Sequence, residues 1–554
     1  MPRLRLPLLA LLALIAAATS SFATAAERPN ILMIFADDWG RHASAYAQLE
    51  PGGINDLVKT PNFDRVAKRG VLFRNAFVNA PSCTPCRSSF MSGQYFWRTG
   101  RGAILRGAVW DSAIPSWPLL LNDAGYELGK TYKVWSPGTP ADAPYGGKKY
   151  AYDKGAGQVS SFSETVTAAV MNGTPLEEAK TAVLAHVRDN FRDFLTKRDA
   201  DKPFAYWFGT TNTHRKWQRG SGKALWGLDP DQLKGKLPKF LPDVPEVRED
   251  LADYLGEAQA LDAMIGILLE ELEQAGATDK TLIAISGDHG APGFPHGKCN
   301  LYDFGTRVSL AMAGPGVVGG RVVDDFVSIP DLAPTFVEAG GVKPPEIMTA
   351  RTLWPVLKSD KSGQVDPARG AVFIGRERHV EMAREGYLPY PQRAIRTADS
   401  LFIINFHPER RPLGDPLQLD SDTPPSFSQV ENTTFVTFPD DDAGLTKAWL
   451  VEHRNDQQWK PYFDHTYGLR PREELYDLKR DPDQMNNVAS DPAYQSRVAE
   501  LRTRLMKELQ SSGDPRVKDD GKFFETPPMA GPLPGDVPQP NRRLRERGNQ
   551  TPRP

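Results

Sequence analysis

Cys83 and Cys86 stand at the front of Cys83-Thr84-Pro85-Cys86-Arg87-Ser88-Ser89-Phe90-Met91-Ser92-Gly93, a stretch built to start and stop a helix. Pro85 suits a first helical turn and Gly93 a helix end. Cys83 is therefore expected to face the unpaired N–H groups and positive dipole end of that helix, where an anion or a thiolate is stabilised. The same spacing fits a Cys-x-x-Cys redox pair, or two buried thiols acting as small apolar residues.

A second set of reactive groups is acidic. Asp37-Asp38 closes the apolar run Ile31-Leu32-Met33-Ile34-Phe35-Ala36, and Gly287-Asp288-His289 closes Leu282-Ile283-Ala284-Ile285-Ser286. Uninterrupted apolar runs of this length read as central parallel strands covered on both faces. In open α/β sheets, ligands bind beyond the carboxyl ends of such strands, so the two clusters are expected to meet at one edge. Gathered carboxylates repel unless a cation neutralises them, and Asp37, Asp38, Asp288 and His289 are expected to hold one divalent ion. Oxygen donors suit Ca²⁺ or Mg²⁺, while the His289 imidazole admits Mn²⁺ or Zn²⁺. A third run, Pro203 to Phe208, delivers Thr210-Thr211-Asn212-Thr213-His214 to the same edge.

The elements that position these groups can be read from pattern. Leu251, Tyr254, Leu255, Ala258, Leu261, Ile265, Leu268, Leu269 and Leu272 recur at helical spacing, with Gly276 as a stop, and feed the strand that ends in Asp288. Helix, strand and loop in that order predict an α/β domain with a large, mostly parallel sheet, over 27–374. Past about Gly375 the strands shorten, as in Leu401 to Phe406, and a charged helix runs from about Ala493 to Gln510. This predicts a smaller C-terminal α+β domain over 375–510 with an antiparallel sheet. The Pro-rich, polar stretch 511–554 is expected to be a flexible tail.

Composition narrows the class of function. Positive residues in Met1-Pro2-Arg3-Leu4-Arg5, an apolar run from Leu6 to about Ala18 and small residues around Ala23-Thr24-Ala25 predict a secretory signal peptide over 1–26. The apolar core is short of the roughly 20 residues that a spanning helix needs, and no later segment is apolar enough to span. The mature chain is thus expected to be secreted or periplasmic. A formal net charge of −2 over 554 residues argues against nucleic acid as partner. Three cysteines, Cys83, Cys86 and Cys299, make no disulfide framework.

Cys-x-Pro-x-Arg followed by Met-Ser-Gly resembles the signature of the formylglycine-dependent sulfatases. The resemblance extends, in the family's order, through Arg28-Pro29-Asn30-Ile31 to Asp37-Asp38, Thr60-Pro61-Asn62-Phe63-Asp64, Gly125-Tyr126, Ser286-Gly287-Asp288-His289-Gly290 and Glu474-Leu475-Tyr476-Asp477. It implies an alkaline-phosphatase-like fold and a maturation enzyme that oxidises Cys83 to formylglycine (3-oxoalanine). The aldehyde hydrate at position 83 would be both nucleophile and metal ligand, and Arg87 would hydrogen-bond it. Lys133 and Lys298 would bind sulfate, and His214 would protonate the leaving group. In the family the residues matching Asp37, Asp38 and Asp288 hold Ca²⁺. Two positions depart from the pattern: His289 stands where asparagine is common, and Trp135 stands where a histidine usually releases sulfate.

Gly375-Arg376-Glu377-Arg378-His379, Tyr390 to Arg396 and Asn405-Phe406-His407-Pro408 look like the C-terminal half of the heparan N-sulfatases. Basic side chains with tyrosine suit an anionic sugar, so His379 and Arg393 are expected to hold a sulfated carbohydrate. The alternative is that these residues lock the two domains together. The rival functions are a glycan O-sulfatase or aryl sulfatase, a phosphonate or phosphate ester hydrolase, and a non-catalytic binder of sulfated glycans.

Overall fold

A computed structural model of the chain describes residues 28–533. The expected signal peptide lies outside them, as does the sequence after 533. A seven-stranded sheet is made of β1 (Asn30–Ala36), β2 (Val71–Phe77), β3 (Glu127–Tyr132), β4 (Phe204–Gly209), β5 (Thr281–Gly287), β6 (Leu310–Ala313) and β7 (Arg321–Ser328) in the order β3-β4-β1-β5-β6-β2-β7. β6 runs antiparallel to both neighbours and every other pairing is parallel. The apolar run of β1 is fully buried because alternate residues enter two different cores. Leu32, Ile34 and Ala36 pack on one face with the helix Pro245–Gln274. Ile31, Met33 and Phe35 pack on the other, with Phe90 and Met91.

The second sheet is antiparallel, ordered β11-β10-β9-β8, from β8 (Ala371–Arg376), β9 (Gln392–Thr397), β10 (Ser400–Asn405) and β11 (Glu473–Asp477). One face carries Ile395, Phe402 and Leu475 against Leu501, Leu505 and Leu509 of the helix Gln495–Ser512. The other carries Val372, Ile374 and Ile403 against Phe77, Leu301 and Phe326 of the first domain. The boundary expected at 374 falls inside β8, whose first residues already belong to the second sheet.

The expected flexible tail is corrected for its first part. Within 511–533, Asp514, Arg516, Phe524 and Met529 are buried and anchor the stretch. Local polarity suggested solvent there, but the charges are spent on long-range pairs: Arg516 donates to Glu377 and Asp514 accepts from Arg393. Among the described residues no helix is long and apolar enough to cross a membrane.

Candidate active site

The parallel strands converge on one edge. Asp37 and Asp38 follow β1, Asp288 and His289 follow β5, Lys133 follows β3, and His214 lies in the loop after β4. Backbone bonds tie these ends together, from Asp37 N–H to the Thr210 carbonyl (3.0 Å) and from Asp288 N–H to the Ala36 carbonyl (3.1 Å). Asp38 adopts φ 58°, a left-handed conformation that aspartate is among the few side chains to tolerate.

Cys83 opens the helix Cys83–Ser92, which follows β2, and Gly93 ends it at φ 63°. The Cys83 Sγ lies 3.4 Å from His289 Nε2 and 3.9 Å from Asp38 Oδ1. Burial, reinforced by the Asp37 carboxylate, pushes this thiol well above its ordinary range. The thiolate expected at the helix mouth is therefore not favoured, because desolvation and neighbouring acids outweigh the dipole. As a cysteine, residue 83 is a poor nucleophile.

Cations answer the acids one by one. Arg87 donates to Asp288 (2.9 Å) and Asp37 (3.0 Å), Lys133 to Asp37 (2.7 Å), and Lys298 to Asp38 (3.0 Å). Burial alone would raise the Asp37 carboxyl, but Lys133 and Arg87 hold it well below the usual range. Asp288 is pushed up by burial and by the nearby Asp37 charge. Burial opposes the charge on Lys298, yet Asp38 and Asp442 hold its ammonium well above the ordinary value.

Both imidazoles have assignable tautomers. His289 Nδ1 lies 3.2 Å from the Gly290 carbonyl and His214 Nδ1 lies 2.6 Å from the Arg215 carbonyl. A carbonyl only accepts, so each Nδ1 carries a proton, and Nε2 has a free lone pair only in the neutral ring. The His289 Nε2 faces Asp38 (3.2 Å) and Asp288 (3.5 Å). The His214 Nε2 accepts from Lys298 Nζ at 3.2 Å.

These donors fit a divalent cation. Ligand atoms of Asp38, Cys83 and His289 lie within 4.8 Å of one another, as do those of Asp37, Cys83 and Asp288 and those of Asp37, Asp38 and His214. Carboxylates with one imidazole oriented by a backbone carbonyl are the chemistry of a hard to borderline ion. Asp37, Asp38, Asp288 and His289 would hold it.

Exposure shows which way the site opens. The side chains of Asp38, Asp288 and His289 are 0 % exposed, whereas that of His214 is 34 % exposed. A ligand held by the buried cations would meet solvent beside His214.

His379 and Arg393 part company. His379 lies against the helix mouth, its Nδ1 2.8 Å from the Ser82 Oγ, and burial lowers its pKa to about 3. Arg393 is not at the site: it is fully buried, pairs with Asp514 (2.5 Å) and Glu377 (2.9 Å), and lies over Phe96 and Trp97. Its expected role in holding sugar is corrected to locking the second sheet to the C-terminal segment. Breaking such a buried pair leaves an uncompensated charge and costs about 3–5 kcal/mol. Trp135 is also buried and donates to Ser88 Oγ (2.8 Å), so position 135 brings no base to the site.

Asp442 is not among the residues expected at the site. Its carboxylate lies 3.1 Å from Lys298 Nζ, delivered by a loop of the C-terminal half. The signal available was the run Asp440-Asp441-Asp442, which resembles any solvated loop until its partners are known.

A family model described as Sulfatase matches residues 29–342. The human N-sulphoglucosamine sulphohydrolase is 28% identical over 538 residues, covering 91% of this chain and 95% of its own. An ulvan-active sulfatase of Formosa agariphila is 25% identical, covering 88% of this chain and 76% of its own. Among solved structures, BT4656 in complex with its substrate D-glucosamine-2-N,6-O-disulfate superposes with a TM-score of 0.58 at 18% identity, covering 90% of this chain and 100% of that one.

Proposed function

Because this chain belongs to the sulfatase family, whose members hydrolyse sulfuric esters and sulfamates, we propose that it removes sulfate from sulfated sugars and acts on the N-sulfate of glucosamine. The observation that carries this reading is the shape of the charge. Lys133, Lys298 and Arg87 meet the acids in a buried cluster, and the half-exposed imidazole of His214 stands at its edge. Such a cluster suits a small oxyanion with its leaving group turned outward. The likeness to N-sulphoglucosamine sulphohydrolase supports nitrogen as the leaving atom.

In this reading Lys133 and Lys298 hold the sulfate oxygens, and Arg87, bonded to Asp37 and Asp288, fixes the helix mouth against the acids. Once oxidised, residue 83 supplies a hydroxyl of an aldehyde hydrate as nucleophile, and a bound divalent ion supplies charge that favours that hydroxyl's ionised form. His214, in its protonated form, gives its Nε2 proton to the departing atom. An amine is a poor leaving group without that proton, so an acid beside the nitrogen is required.

All ten residues of the Cys83–Ser92 helix are buried, which supports oxidation by a maturation enzyme before the chain folds. The N-terminal sequence supports export, as a secreted or periplasmic enzyme.

A defined heparin-type disaccharide carrying both N- and 6-O-sulfate tests the substrate. The expected result is release of the N-sulfate and appearance of a free amine. Release of 6-O-sulfate with the N-sulfate intact would replace this reading by a glycan O-sulfatase, which the ulvan-active relative favours.

A further inference from the structure

Asp442 is a carboxylate in a site that must gather an anion. It does not belong to the acid cluster that faces Cys83, and a negative charge on a sulfate-holding lysine weakens that lysine's attraction for the oxyanion. Its position is nonetheless fixed. Asp440 beside it is pinned by Arg376 (2.6 Å) and Arg384 (2.9 Å). Asp441 accepts from the Tyr467 hydroxyl (2.6 Å), and its carbonyl accepts from Lys447 Nζ (2.6 Å).

The Asp442 Oδ2 pairs with Lys298 Nζ at 3.1 Å and is closed to solvent, so the exposure of this side chain lies on its other atoms and the second carboxylate oxygen is the one left to accept. Lys298 Nζ also touches His214 Nε2 at 3.2 Å, which sets Asp442 one ammonium away from the group assigned to the leaving atom. At 18 % exposure the Asp442 side chain sits on the open side of the site, with His214.

We infer that Asp442 is a specificity-determining residue that reads the atom bridging sulfur to sugar: its carboxylate accepts the N–H of a sulfamate. This rests on the N-sulfatase reading above. A sulfamate nitrogen carries a hydrogen, whereas the bridging oxygen of a sulfate ester carries none and turns lone pairs toward the negative charge. During reaction the S–N bond breaks as the bond from the nucleophile's oxygen to sulfur forms. The nitrogen keeps its own hydrogen and takes one more from His214, leaving as an amine whose N–H groups still face Asp442. An acceptor that the bound substrate closes off from water, and leaves without a donor, discriminates between close analogues.

The test compares wild type, Asp442→Asn and Asp442→Leu on N-sulfoglucosamine and on an aryl sulfate. Asp442→Leu is expected to lower kcat/KM for the sulfamate about tenfold to a hundredfold more than for the ester, with Asp442→Asn, which keeps an acceptor, in between. A second arm needs no N-desulfation. Glucosamine should inhibit aryl sulfate hydrolysis by wild type about tenfold more strongly than glucose does, and Asp442→Leu should erase the difference. Equal losses on both substrates, with the glucosamine preference retained, would overturn the assignment. If wild type leaves N-sulfate untouched but still prefers glucosamine, the N-sulfatase reading fails and Asp442 as an amine reader stands. If wild type cleaves N-sulfate and Asp442→Leu changes neither ratio, Asp442 alone is refuted.

Discussion

Cys83→Ala is expected to lose turnover by about 10⁴- to 10⁶-fold, the scale of removing a nucleophile that acts as one unit with its partners. The melting temperature and circular dichroism should stay close to those of the parent. The loss follows from position. Residue 83 stands within reach of both His289 and Asp38, and Arg87, Lys133 and Lys298 are arrayed around the same acids. The fold should survive because the helix is held by Phe90 and Met91 in the core and by the Gly93 stop, not by one sulfur at its mouth. A variant that keeps more than about a hundredth of the parent activity would be inconsistent with nucleophilic catalysis at this position.

Exhaustive chelation is expected to cost at least about 10³-fold in activity and to lower the melting temperature, since an ion that binds only the folded chain adds to stability by mass action. The acids explain why: burial works against charge on Asp37 and Asp288, and Arg87 is shared between them. Restoration should depend on position 289. With imidazole present Mn²⁺ should restore activity at least as well as Ca²⁺, and His289→Asn should shift the preference toward Ca²⁺. Differential scanning calorimetry with each ion reads this without turnover. Unchanged melting and full activity after chelation would remove the metal from the account.

The acid cluster was legible because strand ends are local features. An apolar run that stops at Asp37-Asp38, and another that stops at Asp288-His289, state both the element and the side of the sheet. The proline and glycine that bracket the Cys83 helix are local in the same way. Arg87, Lys133, Lys298 and His214 needed the family's order, since a single lysine or histidine carries no signal of its own.

Arg393 was misread for the opposite reason. β9 looks like an ordinary strand carrying arginine, and nothing nearby tells that Asp514, over a hundred residues later, will close on it. The anchored segment 511–533 and the carboxylate of Asp442 were hidden by the same rule. Polar sequence predicts solvent, and only the assembled fold shows which charges have found buried partners.

Mass analysis of the peptide containing residue 83, made on protein of known specific activity, tests the central claim most directly. Protein produced beside a maturation enzyme should carry an aldehyde or its hydrate in place of the thiol, in a fraction that rises in proportion to specific activity across preparations. A fully active preparation in which residue 83 is an unmodified cysteine would contradict the account.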